Sequence, residues 1–302
     1  MDISTKMVKE LRERTGAGIL DCKKTLQETQ GDMERAIEVL REKGLARAAK
    51  KAGREAKEGL IETLTGDNGR TGVMVELNCE TDFVARTPDF KALAHEVAEQ
   101  VAGANDTKAP GGTLPVSRAG VPESRDLGPA DMPSSTHIQA AIAKLGENIQ
   151  VRRYVRYALD GKPGQVETYT HPGGRVAVLL ELGAESAAVA AKPEFKALAH
   201  DIALQIAALN PRYVRPEDVP AEVIEQEQGI YRAQLAEEKK PANVIEQIVK
   251  GKLQKYYEEV SLLNQPSIRE DKVKVKDLIK QTAAKAGGNI EVRRFARYEL
   301  GD

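Results

Sequence analysis

Tryptophan is absent, and the aromatics amount to 4 Phe and 8 Tyr in 302 residues. Base-stacking platforms of the kind that hold single-stranded nucleic acid are therefore not expected. Two cysteines, Cys22 and Cys79, are too few for a disulfide framework or a cysteine-built zinc site, and they read as small buried apolar groups. No apolar run approaches the roughly 18 residues of a membrane span. The opening residues, MDISTKMVKELRERTG, carry acids and lack the apolar core of a secretory signal, so a cytoplasmic location is expected. Charge of one sign is not in excess either: 45 Lys and Arg face 46 Asp and Glu, a net −1. That argues against a globally basic nucleic-acid binder while leaving room for a local basic patch. Catalytic signatures are missing as well. Gly161-Lys162 and Gly251-Lys252 lack the glycines and the Ser or Thr of a phosphate loop, and neither GxGxxG nor HExxH occurs. Of the four histidines, His95 and His200 read as scaffold, and none has a Cys or carboxylate at ligand spacing. The chain is expected to be no enzyme and to hold no cofactor or metal of its own.

What is present is a repeat. Residues 59–105 align on 164–210 at a constant offset of 105, with PDFKALAHEVAEQVAGAN lying on PEFKALAHDIALQIAALN. A second echo has an offset of 141, with GENIQVRRYVRYAL (146–159) against GGNIEVRRFARYEL (287–300). One unit has been built twice. Each copy reads strand, turn, strand, helix and a later closing strand. Apolar runs at 61–64 and 73–77 flank GDNG, a hairpin signal. Pro88 and Asp89 then open a helix whose Phe90, Leu93, Ala94, Val97, Ala98, Val101 and Ala102 share one face. Phe195, Leu198, Ala199, Ile202, Ala203 and Ile206 repeat that face in copy two.

The copies differ in what precedes their closing strands. Copy one has a Pro/Gly-rich stretch, 106–135, expected to be irregular. Copy two has two helical patterns, Ala221–Leu235 and Ala242–Val260, that read as a helical hairpin or antiparallel coiled coil. Ahead of the repeat, three short helices are expected: one capped by Ser4, one over 19–27, and one over 33–43 with Gly44 as its C-cap, followed by a basic linker helix at 45–57. The expected fold class is α+β. A helical N-terminal domain spans 1–54, a first core half 55–160, and a second core half 161–302 that carries the hairpin at about 215–262.

The repeat also serves as an internal control. NCETDFVA (78–85) aligns with GAESAAVA (183–190), so Asp82-Phe83 faces Ala187-Ala188. The scaffold can be built without that acid and that aromatic. A Phe in a strand-to-helix loop then fits an anchor for a partner, with a gap-filling core role as the alternative. The basic stretch 41–57 and the doublets Arg152-Arg153 and Arg293-Arg294 leave a second reading open, an RNA-binding translation accessory protein. A third is a scaffold whose N-terminal bundle binds ubiquitin-like partners.

The N-terminal run VKELRERTGAGILDCKKTLQETQGDMERAIEVLREKG, NCETDFVAR, the duplicated core and the hairpin together resemble the bacterial elongation factor Ts family over nearly the whole chain. The resemblance implies a guanine-nucleotide exchange factor for elongation factor Tu, with no nucleotide site of its own. It implies that residues 1–54 form a ubiquitin-associated-like domain docking through Arg12, Ile19 and Leu20. It further implies that Thr81, Asp82, Phe83 and Val84 wedge into the partner's GTPase domain and dislodge the nucleotide's Mg2+, and that His171 in the second half reaches another domain of the partner. A homodimer through the core or the hairpin is a further expectation. The chain stops at Glu299-Leu300-Gly301-Asp302, so contacts made by a C-terminal extension in longer relatives are not expected here.

Overall fold

The computed structural model describes residues 3–103, 135–235 and 241–302, so all but the last residue of the Pro/Gly-rich insert lies outside it. The chain begins with three helices, α1 (Thr5–Thr15), α2 (Ile19–Glu28) and α3 (Met33–Lys51). Ser4 Oγ accepts the Met7 amide at 3.3 Å and Asp32 Oδ1 accepts the Arg35 amide at 3.0 Å, so α1 and α3 start at side-chain caps. Gly16, at φ 66°, closes α1 in the left-handed conformation. Val8, Leu11, Cys22, Leu26 and Ala36 make a small core between the three.

Gly44 does not end α3. The helix runs on through it to Lys51, in place of the expected stop and separate linker helix. A Cβ at Gly44 would sit 3.4 Å from Ala143 Cβ, so the glycine admits α6 (Ser135–Leu145) rather than breaking the helix. Beyond that crossing, Ala48 is buried in the first half's core, so one helix joins the N-terminal bundle to the rest.

The first half is a three-stranded antiparallel sheet in the order β1 (Glu58–Gly66), β2 (Thr71–Cys79), β3 (Ile149–Ala158). Asp67 and Asn68, at φ 50° and 55°, make the hairpin turn, where short polar residues tolerate the left-handed region. A single turn, α4 (Asp82–Ala85), leads into α5 (Pro88–Gly103), which with α6 covers one face of the sheet. The second half repeats the plan with β4 (Gly164–Thr170), β5 (Val176–Ala184) and β6 (Ile290–Glu299), the turn α7 (Ala187–Ala190), and the covering helices α8 (Pro193–Leu209) and α11 (Val275–Ala286). Between α8 and α11 stand α9 (Ala221–Leu235) and α10 (Ala242–Val260), packed together and joined by Arg232 to Glu246 at 2.8 Å. Among the described residues no helix is long and apolar enough to cross a membrane.

The two sheets pack face to face through Ile61, Met74, Val155 and Tyr157 on one side and Val166, Ala177, Leu179, Ala296 and Tyr298 on the other. The order of layers is therefore helices, sheet, sheet, helices, which explains why β2 and β5 are buried on both faces. The sheets come close together at Gly72, where a Cβ would lie 2.5 Å from Val166 Cγ1 and 2.7 Å from Leu179 Cδ1.

The arginine doublets sit in this arrangement as matched devices. Each strand pairing shifts register, beside Glu76 in one half and Glu181 in the other, and the extra residues are Arg152 and Arg293. Arg153 Nε reaches buried Glu76 at 2.6 Å while its guanidinium lies over the Tyr298 ring. Arg294 Nε reaches buried Glu181 at 2.7 Å and lies over the Tyr157 ring. Each half thus lends an arginine to stack on the other's tyrosine. Four arginines committed in this way serve the scaffold, which removes them from the RNA-binding reading.

Candidate functional site

The loop after β2 carries the asymmetry between the copies. Thr81, extended at φ −130°, is the N-cap of α4, and its hydroxyl accepts the Val84 amide at 3.4 Å. Ser186 caps α7 in the same way at 3.3 Å. On that shared turn Ala85 is buried and Val84 half-buried against the first core, while Phe83 points outward, 78% exposed. Phe83 therefore fills no gap in the core. Asp82 forms an exposed ion pair with Arg86 at 2.7 Å. Ala187 and Ala188 occupy the corresponding exposed positions in the second half.

Glu147 buttresses this loop, and sequence reasoning had not singled it out. Its Oε2 accepts the amides of Glu80 and Thr81, both at 3.0 Å, and its Oε1 accepts the Thr81 hydroxyl at 2.6 Å. Next to it, Asn148 gives its amide to Glu80 Oε1 at 2.7 Å and its side-chain Nδ2 to Arg54 carbonyl at 2.8 Å. Lys51 Nζ bonds the Gly146 carbonyl. The end of α3, the loop and the start of β3 are thus stitched at one point. Cys79 lies beneath, donating to the Thr81 carbonyl at 3.1 Å; burial, with the Glu147 charge adding to it, pushes its thiol up to about 12.

The other expected positions fall in two places. Ile19 (56% exposed) and Leu20 (82% exposed) lie in the first turn of α2. With Arg12 they line an open cleft of about 660 Å³, closed on its far side by Asp89 of α5 and by Lys144 and Leu145 of α6. Lys144 pairs with Asp89 at 2.8 Å, and its stem lies against Gly16. Asp89 is in the first turn of α5, the helix that α4 leads into, so the cleft wall and the Phe83 turn share one piece of chain. His171 stands apart, exposed in the β4–β5 turn, with the Tyr169 hydroxyl 3.1 Å from its Nδ1.

The remaining histidines are paired to carboxylates distant in sequence. His95 Nδ1 is 3.0 Å from Glu62, and His200 Nδ1 is 3.3 Å from Glu167, the same pair at the 105-residue offset. The hydrogen bond to Glu62 raises the His95 pKa. His137 faces Glu96. Among the described residues no three His, Cys, Asp or Glu side chains come together to hold a metal.

The family model described as elongation factor TS matches residues 80–302. The whole chain is 48% identical to an elongation factor Ts of Symbiobacterium thermophilum, covering 93% of that protein. It is 46% identical over its full length to one of Aquifex aeolicus, covering 99% of it, and 45% identical to one of a Nostoc species, covering 93%.

Proposed function

The chain belongs to the elongation factor Ts family and is a nucleotide-exchange factor of translation elongation; from that premise we propose that Phe83, presented by Thr81, Asp82 and Val84, is the group that opens the nucleotide site of elongation factor Tu. The observation that carries this reading is the exposure of Phe83 on a braced turn whose twin bears alanine. An exposed phenylalanine costs its owner solvation and is repaid on a partner surface. Mg2+ bridges nucleotide phosphates to a GTPase, so displacing it loosens phosphate contacts on both sides. A thousandfold acceleration of release lowers the barrier by about 4 kcal/mol. Burial of one Phe contributes about 1.5–3 kcal/mol of that.

The remainder comes from docking that holds the wedge in place. In this reading residues 1–54 form a ubiquitin-associated-like domain and engage the partner through Arg12, Ile19 and Leu20. The second core half, 161–302, engages it through His171. The hairpin α9–α10 is a short coiled coil, and it or the core is where two copies would meet. The factor makes and breaks no covalent bond, binds no nucleotide itself and works in the cytoplasm. Linkage requires reciprocity: if this chain weakens GDP binding, GDP weakens binding of this chain by the same factor.

Stopped-flow release of a fluorescent GDP from elongation factor Tu tests the reading. The parent is expected to accelerate release, and Phe83→Ala to lose roughly 10- to 150-fold of that acceleration, the rate equivalent of the Phe burial above. Because the side chain is exposed, the melting temperature of the variant should stay within about 2 °C of the parent. Equal acceleration by parent and variant removes Phe83 from the mechanism.

A further inference from the structure

The geometry points to Glu147 as the positioning residue of the exchange loop, fixing the turn from which Phe83 projects; this rests on the reading of Phe83 above. A carboxylate that accepts two consecutive backbone amides and a hydroxyl holds the entry to α4 at three points. The third point also sets a direction. Thr81 donates its only hydroxyl proton to Glu147 at 2.6 Å, which leaves an oxygen lone pair facing the Val84 amide. Glu147 therefore orients the cap of the very turn that carries Phe83, without touching the partner itself.

The second half supplies the comparison. It keeps the link from the Asn289 amide to Glu185 Oε2 at 2.8 Å, the counterpart of Asn148 to Glu80, and its Glu185 amide donates to the Asn289 carbonyl at 2.9 Å where the Glu80 amide donates to Glu147. At the position of Glu147, however, it has Gly288, and a Cβ there would lie 2.6 Å from Val189 Cγ2. The half that bears Ala187-Ala188 has no room for the brace, and the half that bears Asp82-Phe83 has it. The second half builds the same capped turn with that backbone bond in place of the carboxylate, so building the turn does not by itself require the further ties that Glu147 makes to the Thr81 amide and hydroxyl. The brace goes with the aromatic instead.

The test compares the full-length parent, Glu147→Ala, Glu147→Gln, Phe83→Ala and the double variant Glu147→Ala/Phe83→Ala in GDP release from elongation factor Tu, each over a range of factor concentrations. Glu147→Ala is expected to lower the maximal release rate about fivefold or more while shifting the half-saturating concentration less than about twofold. Glu147→Gln keeps an oxygen for the two amides and is expected to recover most of the rate. The double variant should be no slower than Phe83→Ala, since the brace acts through that side chain. Hydrogen exchange on the free factor gives a readout independent of activity: the Glu80 and Thr81 amides should exchange faster in Glu147→Ala, with the global melting temperature little changed.

A parent-like rate from Glu147→Ala beside a defective Phe83→Ala overturns the inference and leaves the Phe83 reading standing. A parent-like rate from Phe83→Ala overturns both. Losses that multiply in the double variant, or a shift in half-saturation alone, also overturn it. So does a fall in melting temperature shared by Glu147→Ala and Glu147→Gln, which would make the residue a stabilising one only.

Discussion

Replacing Arg153 by alanine strips the cation from a carboxylate that water cannot reach. The Glu76 side chain is fully buried, and Arg153 Nε lies 2.6 Å from its Oε2. What would remain is Arg152 at 3.6 Å and one long hydrogen bond from Asn78 Nδ2 at 3.3 Å. Breaking a buried pair from one side costs about 3–5 kcal/mol, because the other charge is left uncompensated. The substitution also removes a hydrogen bond to the Glu299 carbonyl and the stacking on Tyr298, both across the boundary between the halves. At about 2–4 °C per kcal/mol for chains of a couple of hundred residues, the melting midpoint should fall by roughly 6–20 °C in calorimetry. The matched substitution, Arg294→Ala, is an internal control. Glu181 keeps Arg293 Nη1 at 3.2 Å, and Arg294 is about one-third exposed, so its loss should be distinctly smaller. Adding Glu76→Gln to Arg153→Ala should restore part of the stability, because an amide is cheaper to leave half-satisfied than a carboxylate. A fall below about 2 °C for Arg153→Ala, or an equal or larger one for Arg294→Ala, would refute the reasoning.

Three further outcomes can be checked on the isolated protein. The His95 pKa is raised by its bond to Glu62, so the pair's stabilisation is complete below the ordinary histidine value of about 6.5 and is lost as pH rises through the raised value. Urea midpoints of the parent and His95→Gln should therefore differ more at pH about 6 than at pH about 8.5, and a difference that grows with pH would contradict the assignment. Gly72→Ala drives a methyl into Val166 and Leu179 between the sheets and should cost about 1–3 kcal/mol in chemical denaturation, where an unchanged midpoint would mean the sheets separate freely. Cys22 and Cys79 are both buried, and burial raises both thiol pKa values, so a thiol-reactive dye at pH about 8 should label neither in the folded protein and both in denaturant. Rapid labelling of the native chain would show the loop over Cys79 to be open.

The duplicated core is legible in the sequence because apolar periodicity and an ungapped offset report directly on buried faces, and the expected positions of the two repeat-helix faces are buried, except Ala102 at the end of the first, which is half-buried. The spans of α9 and α10 also coincide with their periodic runs. Three features were harder to read. Gly44 carries the usual mark of a helix end, yet its role is set by Ala143, which approaches from far along the chain. The helices α6 and α11 are short, and their apolar positions, Ile138 and Ile142 in one and Val275 and Ile279 in the other, give only a few turns of pattern. Glu147 is a hydrogen-bonding residue whose partners lie 66 and 67 positions away, so periodicity carries no trace of it. The one available signal was its replacement by Gly288 within an otherwise close match. Exposure, by contrast, was inferred correctly for Phe83 from the difference between the copies.

The sheet-on-sheet contact also sets a timetable for the growing chain. Sheet β1-β2-β3 is complete once Ala158 has been made, and α5 and α6 can already cover its outer face. Its inner face, with Ile61, Met74, Val155 and Tyr157, waits for β5 and finally for Ala296 and Tyr298 of β6, some 140 residues further on. At about 5–20 residues per second that is roughly 7–28 s of synthesis during which the cover of an apolar sheet is incomplete. The guanidinium that stacks on Tyr157 is supplied by Arg294, in the middle of β6, the last strand to be made. A product of the translation machinery thus has a nascent form that is sensitive to the pace of that same machinery, and slowed elongation prolongs the interval in which the inner face of its first sheet is only partly covered.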